Sequence, residues 1–153
     1  STTLRVAETA AAITHNHPEG IKGAQAVSAA IFMARNGASK DEIKEYISAK
    51  FHYNLELSWE YLHETYEWDS SCQGTVPQAI TAFLASDDFE SAIRRAVAIG
   101  GDSDTLACIT GSIAEAYYKA IPEYMFVKAM SLLPDRFKNV LEKMKEKGNY
   151  TIW

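Results

Sequence analysis

The sequence predicts an all-α fold. Apolar residues recur at spacings of three and four along most of the chain. Helix punctuation is dense, with Ser or Asp followed three residues later by Glu, prolines at starts and glycines at ends. No two-residue hairpin signal and no run of alternating β-branched residues argues for strands.

The elements follow in order. An Ala-rich helix from Leu4 to Thr14 ends at the polar run His15-Asn16-His17, because Pro18 disfavours helix at His17 and Gly20 adds a second breaker. A second helix, about Ile21 to Arg35, places Ala24, Val27, Ala30, Ile31 and Ala34 on one face, and Gly37 is positioned to stop it in the left-handed conformation. Ser39 with Glu42 forms a capping box for a third helix carrying Ile43, Tyr46 and Ile47. Ser58 caps a short aromatic helix through Trp59, Tyr61, Leu62 and Tyr66. Pro77 suits the first turn of a helix through Leu84, where a missing N–H does no harm. Asp87 and Glu90 repeat the capping-box spacing and begin a helix to about Ile99; another runs from about Thr105 to Tyr118. Pro122 and Pro134 open the last two, and Gly148 closes the series. The expectation is seven or eight helices in a single all-α domain over residues 1–153.

Hydrophobic residues make up 47% and charged residues 23% of the 153, near globular averages, which excludes wholesale disorder. The net charge of −5 argues against general nucleic-acid binding, which needs clustered Lys and Arg. Two cysteines, Cys72 and Cys108, form no C-x-x-C pair, so a reducing, cytoplasmic setting is expected. No membrane partner is expected, since no stretch is apolar and long enough to span a bilayer.

The most informative segment is Ile99-Gly100-Gly101-Asp102-Ser103-Asp104-Thr105, between two strong helix patterns. Two glycines permit a sharp turn. Asp102, Asp104 and Thr105 then offer hard oxygens that suit Mg²⁺, Mn²⁺ or Ca²⁺ better than zinc. The same residues admit a plainer reading, with Asp104 as an N-cap and Asp102 favourable at the positive end of the helix dipole. The loop lacks the further oxygens and bidentate Glu of an EF-hand. Ala107, Gly111 and Ala114 downstream predict close helix packing. Two carboxylates at a buried helix start would be costly without a cation, which favours the metal reading.

Two other loops stand out. In Thr14-His15-Asn16-His17-Pro18-Glu19-Gly20, the histidines at i and i+2 do not share a helix face. His15 is either a group at a helix C-terminus, where a donor is favourable, or a ligand contact. Asp69-Ser70-Ser71-Cys72-Gln73-Gly74-Thr75-Val76-Pro77 enters a helix N-terminus, a place that can hold phosphate but often binds nothing. Cys72 reads as a small packing residue. Trp59, Tyr61, Tyr66 and Trp68 read as core or interface rather than a base-stacking platform, and Lys138, Lys143, Lys145 and Lys147 as a solvated face.

Three stretches in this order resemble the ADP-ribosylglycohydrolase family: Thr14 to Gly20 with Gly23-Ala24; Cys72-Gln73-Gly74-Thr75-Val76-Pro77-Gln78-Ala79-Ile80; and Gly100-Gly101-Asp102-Ser103-Asp104-Thr105-Leu106-Ala107 with Gly111, Ala114 and Ala116. The resemblance implies an orthogonal multi-helix bundle, here partial, and hydrolysis of the glycosidic bond between ADP-ribose and an acceptor with two Mg²⁺ or Mn²⁺ ions. Carried over, Asp102, Asp104 and Thr105 become metal ligands, and His15, Gly100 and Gly101 substrate contacts. Lys119 stands where the family often has Gly.

The family's other ligand set, its catalytic acidic residue and its Gly-rich phosphate loop have no counterpart here. The chain therefore reads as the C-terminal half of the fold, either a fragment or a subunit that meets a companion chain or a second copy, inactive alone. It is expected to expose an apolar face. The alternative is a non-catalytic ADP-ribose-binding or structural protein on the same scaffold.

Overall fold

The computed structural model describes residues 1–148. Among them are nine helices and no strand: α1 (Thr2–Ala12), α2 (Pro18–Arg35), α3 (Lys40–Phe51), α4 (Trp59–Thr65), α5 (Cys72–Leu84), α6 (Phe89–Ile99), α7 (Ser103–Tyr118), α8 (Glu123–Leu132) and α9 (Asp135–Lys147). The all-α expectation is met; each of the nine corresponds to a helix read along the sequence, one above the expected total of seven or eight.

Local chemistry explains most boundaries. The Ser39–Glu42 capping box is present in both directions, and Gly37 takes φ 83° after α2. The starts of α1 and α7 lie two residues earlier than read, and three further starts differ for a local reason. Pro18 begins α2 rather than blocking it: it occupies the first helical position, and His17 caps by accepting the Glu19 N–H at 3.2 Å. α5 begins at Cys72, capped by Ser71, so Pro77 lies inside the helix and leaves the Gln73 carbonyl without its i+4 donor. The box at the head of α6 is shifted by one, with Asp88 accepting from Ser91 N–H at 2.6 Å while the Ser91 hydroxyl serves the Asp88 N–H. Ser replaces Glu in that pair, a swap that a search for Glu three residues on does not detect.

The chain falls into two compact units, Ser1–Lys119 and the segment from Ala120 onward. In the first unit, α2, α5 and α7 run parallel. Their N-terminal ends are joined where Gly23 packs on Cys72 and Val76, and where Tyr66 lies beside Gly101 and hydrogen-bonds to Asp69, just ahead of α5. Halfway along, the fully buried Thr110 hydroxyl donates to the Ala79 carbonyl at 2.8 Å. At the C-terminal ends, Arg35 pairs with Glu115 at 3.7 Å, and Tyr118 Oη donates to the Ser86 carbonyl at 2.9 Å. Lys40 Nζ donates to the Leu84 carbonyl at 3.2 Å and to the Ser86 carbonyl.

Small residues allow this close approach. Ala26, Ala30, Ala34, Ala79, Ala82, Ala96 and Ala114 are buried, and Gly111 makes room for Ile93 of α6, the tight packing that the sequence predicts. Ile43, Ile47, Ile80, Phe83 and Ile113 fill one core; Leu62, Ile99 and Leu106 fill a second beneath the acidic loop. Each such side chain contributes on the order of 1.5–3 kcal/mol.

In the second unit, Pro122 and Pro134 precede α8 and α9, and Gly148 ends α9, as expected. Phe137, Val140 and Met144 recur at spacings of three and four on α9 and are exposed, as are Val6 of α1 and Ile13 just after it in the first unit.

Two substitutions test this packing. Thr110→Val should lower the stability of the chain by about 1 kcal/mol, since it removes the α7–α5 hydrogen bond at constant shape. Lys119 ends α7 in the left-handed region at φ 55°, so Lys119→Gly should raise stability by roughly 1 kcal/mol. Urea denaturation midpoints check both.

Candidate metal and ligand site at the helix N-termini

The parallel arrangement brings three loops to one end of the first unit: His15–His17 ahead of α2, Asp69–Ser71 ahead of α5 and Gly100–Asp102 ahead of α7. Free N–H groups and the positive ends of three dipoles collect there.

The acidic loop is pinned on both sides by buried residues, Ile99 before it and Leu106 after it. Between them Gly100 and Gly101 take φ 87° and 60°. A methyl group at Gly101 would come within 2.6 Å of Tyr66 Cε1, so this position needs glycine for its conformation and for space. Asp102 is the N-cap residue of α7, yet its side chain makes no capping hydrogen bond. Its carboxyl instead meets that of Asp104. The Asp104 carboxyl is held below the usual carboxylate range, first by the hydrogen bond from Asp102 and then by backbone N–H groups. Of those, the Thr105 N–H donates to Asp104 Oδ1 at 3.0 Å.

The expected burial of this helix start is not found. Asp102 is half-buried, while Asp104 and Thr105 are exposed, so desolvation gives no argument for a cation. What remains is two carboxyls, Asp102 and Asp104, side by side at the helix head, hard oxygens that suit a divalent cation. The plainer reading also changes, because Asp104 sits inside the first turn rather than at the cap. Among the described residues, no three His, Cys, Asp or Glu side chains converge as a metal site. Asp102, Asp104 and Thr105 fit a hard divalent ion as part of a ligand shell, not as a whole one.

His15 follows α1. Its backbone N–H donates to the Ala11 carbonyl at 2.8 Å, and its exposed ring pairs with the Thr14 hydroxyl at 2.7 Å. The ring therefore does not cap α1.

Asp69 is a residue that the sequence reading passed over. Its Oδ1 accepts the Ser71 N–H at 2.7 Å, which holds its pKa below the usual range. A methyl at Gly74 would fall inside its carboxylate. The sequence signal was Asp69-x-Ser71, an Asx-turn spacing directly before a helix. Tyr66 links this loop to the acidic one: its hydroxyl donates to the Asp69 carbonyl at 3.1 Å. Burial, then the Asp69 charge and, more weakly, that of Asp102, raise its pKa. A cleft of about 470 Å³ opens beside Tyr66, with Trp68, Asp69, Gly74, Gln78 and Tyr61 among its lining. Trp68 and Tyr61 are exposed, 69% and 53%, so the core reading of the aromatics holds only for Trp59 and Tyr66, which are partly buried against the second core. Cys72 packs against Gly23, as expected of a small packing residue.

A model of the ADP-ribosylglycohydrolase family matches residues 1–149. An uncharacterized protein of Archaeoglobus fulgidus is 35% identical over 133 residues, covering 78% of this chain and 44% of the relative. A protein of Acanthamoeba polyphaga mimivirus, provisionally named an ADP-ribosyl glycohydrolase, is 32% identical over 132 residues, covering 72% of this chain and 40% of its own length. The chain belongs to the ADP-ribosylglycohydrolase family, and it spans less than half the length of these two relatives.

The Asp69 turn sets a pH dependence. A carboxyl whose pKa is depressed on folding contributes stability above its unfolded pKa, and that contribution is lost as the pH falls through the folded value. The urea midpoint should therefore drop on acidification below about pH 4, and drop less in Asp69→Asn, which stays uncharged throughout. Equal acid sensitivity in the two proteins would show that the turn adds nothing.

Proposed function

We propose that the chain carries one part of the active site of a metal-dependent hydrolase that cleaves the bond between ADP-ribose and an acceptor. Family membership supports glycohydrolase activity. The observation that carries the metal assignment is the Asp102–Asp104 pair, in which the residue at the cap position declines to cap and joins its carboxyl to a second one.

In this reading Asp102, Asp104 and Thr105 would hold Mg²⁺ or Mn²⁺, two ions in the complete site. Bound there, the ions supply positive charge for the ribose hydroxyls and for charge developing at the anomeric carbon. The chain's own residues do the rest of their work by position. Gly100 and Gly101 keep side chains away from the loop, so that a ligand can approach its backbone. N–H groups at the heads of α2, α5 and α7 favour an anionic ligand such as a diphosphate. His15, exposed on the same end, offers a ring nitrogen to it.

Three oxygen-bearing side chains cannot fill two octahedral shells. The remaining ligands and the catalytic carboxylate would come from polypeptide outside this sequence, in keeping with its coverage of 44% and 40% of the two relatives. The acceptor and a companion chain or second copy belong to the same proposal. A second reading, a non-catalytic ADP-ribose-binding protein, is favoured by the lack of a three-residue metal cluster among the described residues.

Release of ADP-ribose from ADP-ribosyl-arginine, measured with the full-length protein in Mg²⁺, separates the readings. Asp102→Asn and Asp104→Asn should each lower turnover at least about a hundredfold, roughly 3 kcal/mol or more. Full turnover in both variants would remove the metal assignment. No turnover by the unaltered protein, with ADP-ribose still bound and no response to Mg²⁺, would establish the binding protein.

A further inference from the structure

We propose that α4 is the positioning element of the acidic loop, with His63 and Trp59 as its two working side chains. The last turn of a helix leaves carbonyls without intrahelical donors, and α6 runs straight into Gly100–Asp104. One side chain of α4 reaches such a carbonyl, and a second reaches the turn just before it. His63 Nδ1 lies 2.7 Å from the Ala98 carbonyl, and because a carbonyl only accepts, this nitrogen carries the proton. Trp59 Nε1 donates to the Arg95 carbonyl at 2.9 Å. The two rings stack on each other with centroids 5.0 Å apart and planes within 7°, and the Arg95 guanidinium lies 4.8 Å from the indole centre. Leu62, buried between them in sequence, anchors α4 in the core that also holds Ile99 and Leu106.

The residue just after α4 completes the grip. Tyr66 sits against Gly101, and its hydroxyl bonds to the Asp69 carbonyl. Thus α4 and its C-terminal extension touch the segment leading to Asp102 at three points: at Arg95, at Ala98 and at Gly101. Each fixes the direction in which α6 hands the chain to α7, and so where the two carboxyls stand. The consequence for ligand binding rests on the proposed function; the mechanical claim does not.

Residue-resolved hydrogen exchange on the full chain tests it, using His63→Leu and His63→Asn, since an Asn amide can replace the Nδ1 donor. In His63→Leu, the amides of Gly100 and Leu106, which bond to the Val97 and Asp102 carbonyls, should exchange about three- to tenfold faster, the effect of one hydrogen bond. Amides in α2 and α3 should keep their rates, and His63→Asn should restore the loop. Trp59→Phe, which keeps a stacking ring but loses the donor, should give the same local acceleration and carries the test if His63→Leu does not fold. Unchanged loop rates, uniform acceleration throughout the unit, or an Asn variant as fast as Leu would overturn the proposal. The readout uses neither metal nor ADP-ribose, so a failure of Mn²⁺ to bind the full-length protein would count against the proposed function and leave this result to stand or fall alone.

Discussion

Three parallel helices with their positive ends together are the constraint on which the rest of the first unit depends. Like-poled termini side by side repel, and each leaves unpaired backbone groups. Both ends are compensated by side chains. At the C-terminal end, Lys40 serves the Leu84 and Ser86 carbonyls, and Tyr118 serves Ser86 as well. At the N-terminal end, Glu19, Asp69, Asp102 and Asp104 bring negative charge to the first turns or the residues before them. The buried Thr110–Ala79 hydrogen bond and the small residues along the interfaces hold the axes close enough for this to matter.

Compensation alone would explain Asp69, whose carboxylate is used up in a turn. It does not explain Asp102. A lone Asp at the cap position ordinarily accepts from the second or third N–H of its helix. Here it turns instead toward Asp104, whose own carboxyl takes the Thr105 N–H. The loop is also over-determined for a simple connection, with buried residues on both flanks, a glycine that tolerates no methyl group and three contacts from α4 and Tyr66. Rigid presentation of hard oxygens is what a divalent-ion site requires.

Most of the architecture was legible because it is written in local chemistry. Ser39 with Glu42, Ser58, Gly37, Pro122 and Pro134 act within a turn or two of themselves, and each does what its residue type dictates. Errors arose where one rule overrode another. Pro18 was read as a breaker when, with His17 able to cap, it serves as a first helical residue. Pro77 was read as a start when packing at Gly74 and the Ser71 cap draw the helix back to Cys72. At the site, Asp102 and Asp104 were visible from their spacing, whereas Asp69 and Tyr66 were not. Asp69 carried only the short Asx-turn spacing to Ser71, and the role of Tyr66 depends on its loop lying against Gly101, a tertiary fact with no periodic signature. The supposed burial of the α7 start was wrong for the same reason: apolar residues downstream say that the helix body is buried, not its head.

If the carboxyl pair at the head of α7 holds a divalent ion, as proposed, crystals of the full-length protein grown with Mn²⁺ should show an anomalous manganese peak roughly 2.0–2.2 Å from carboxylate oxygens of both Asp102 and Asp104, within bonding range for a small hard cation. A peak elsewhere with Asp102 folded back as an ordinary cap, or no peak at saturating Mn²⁺, would contradict it.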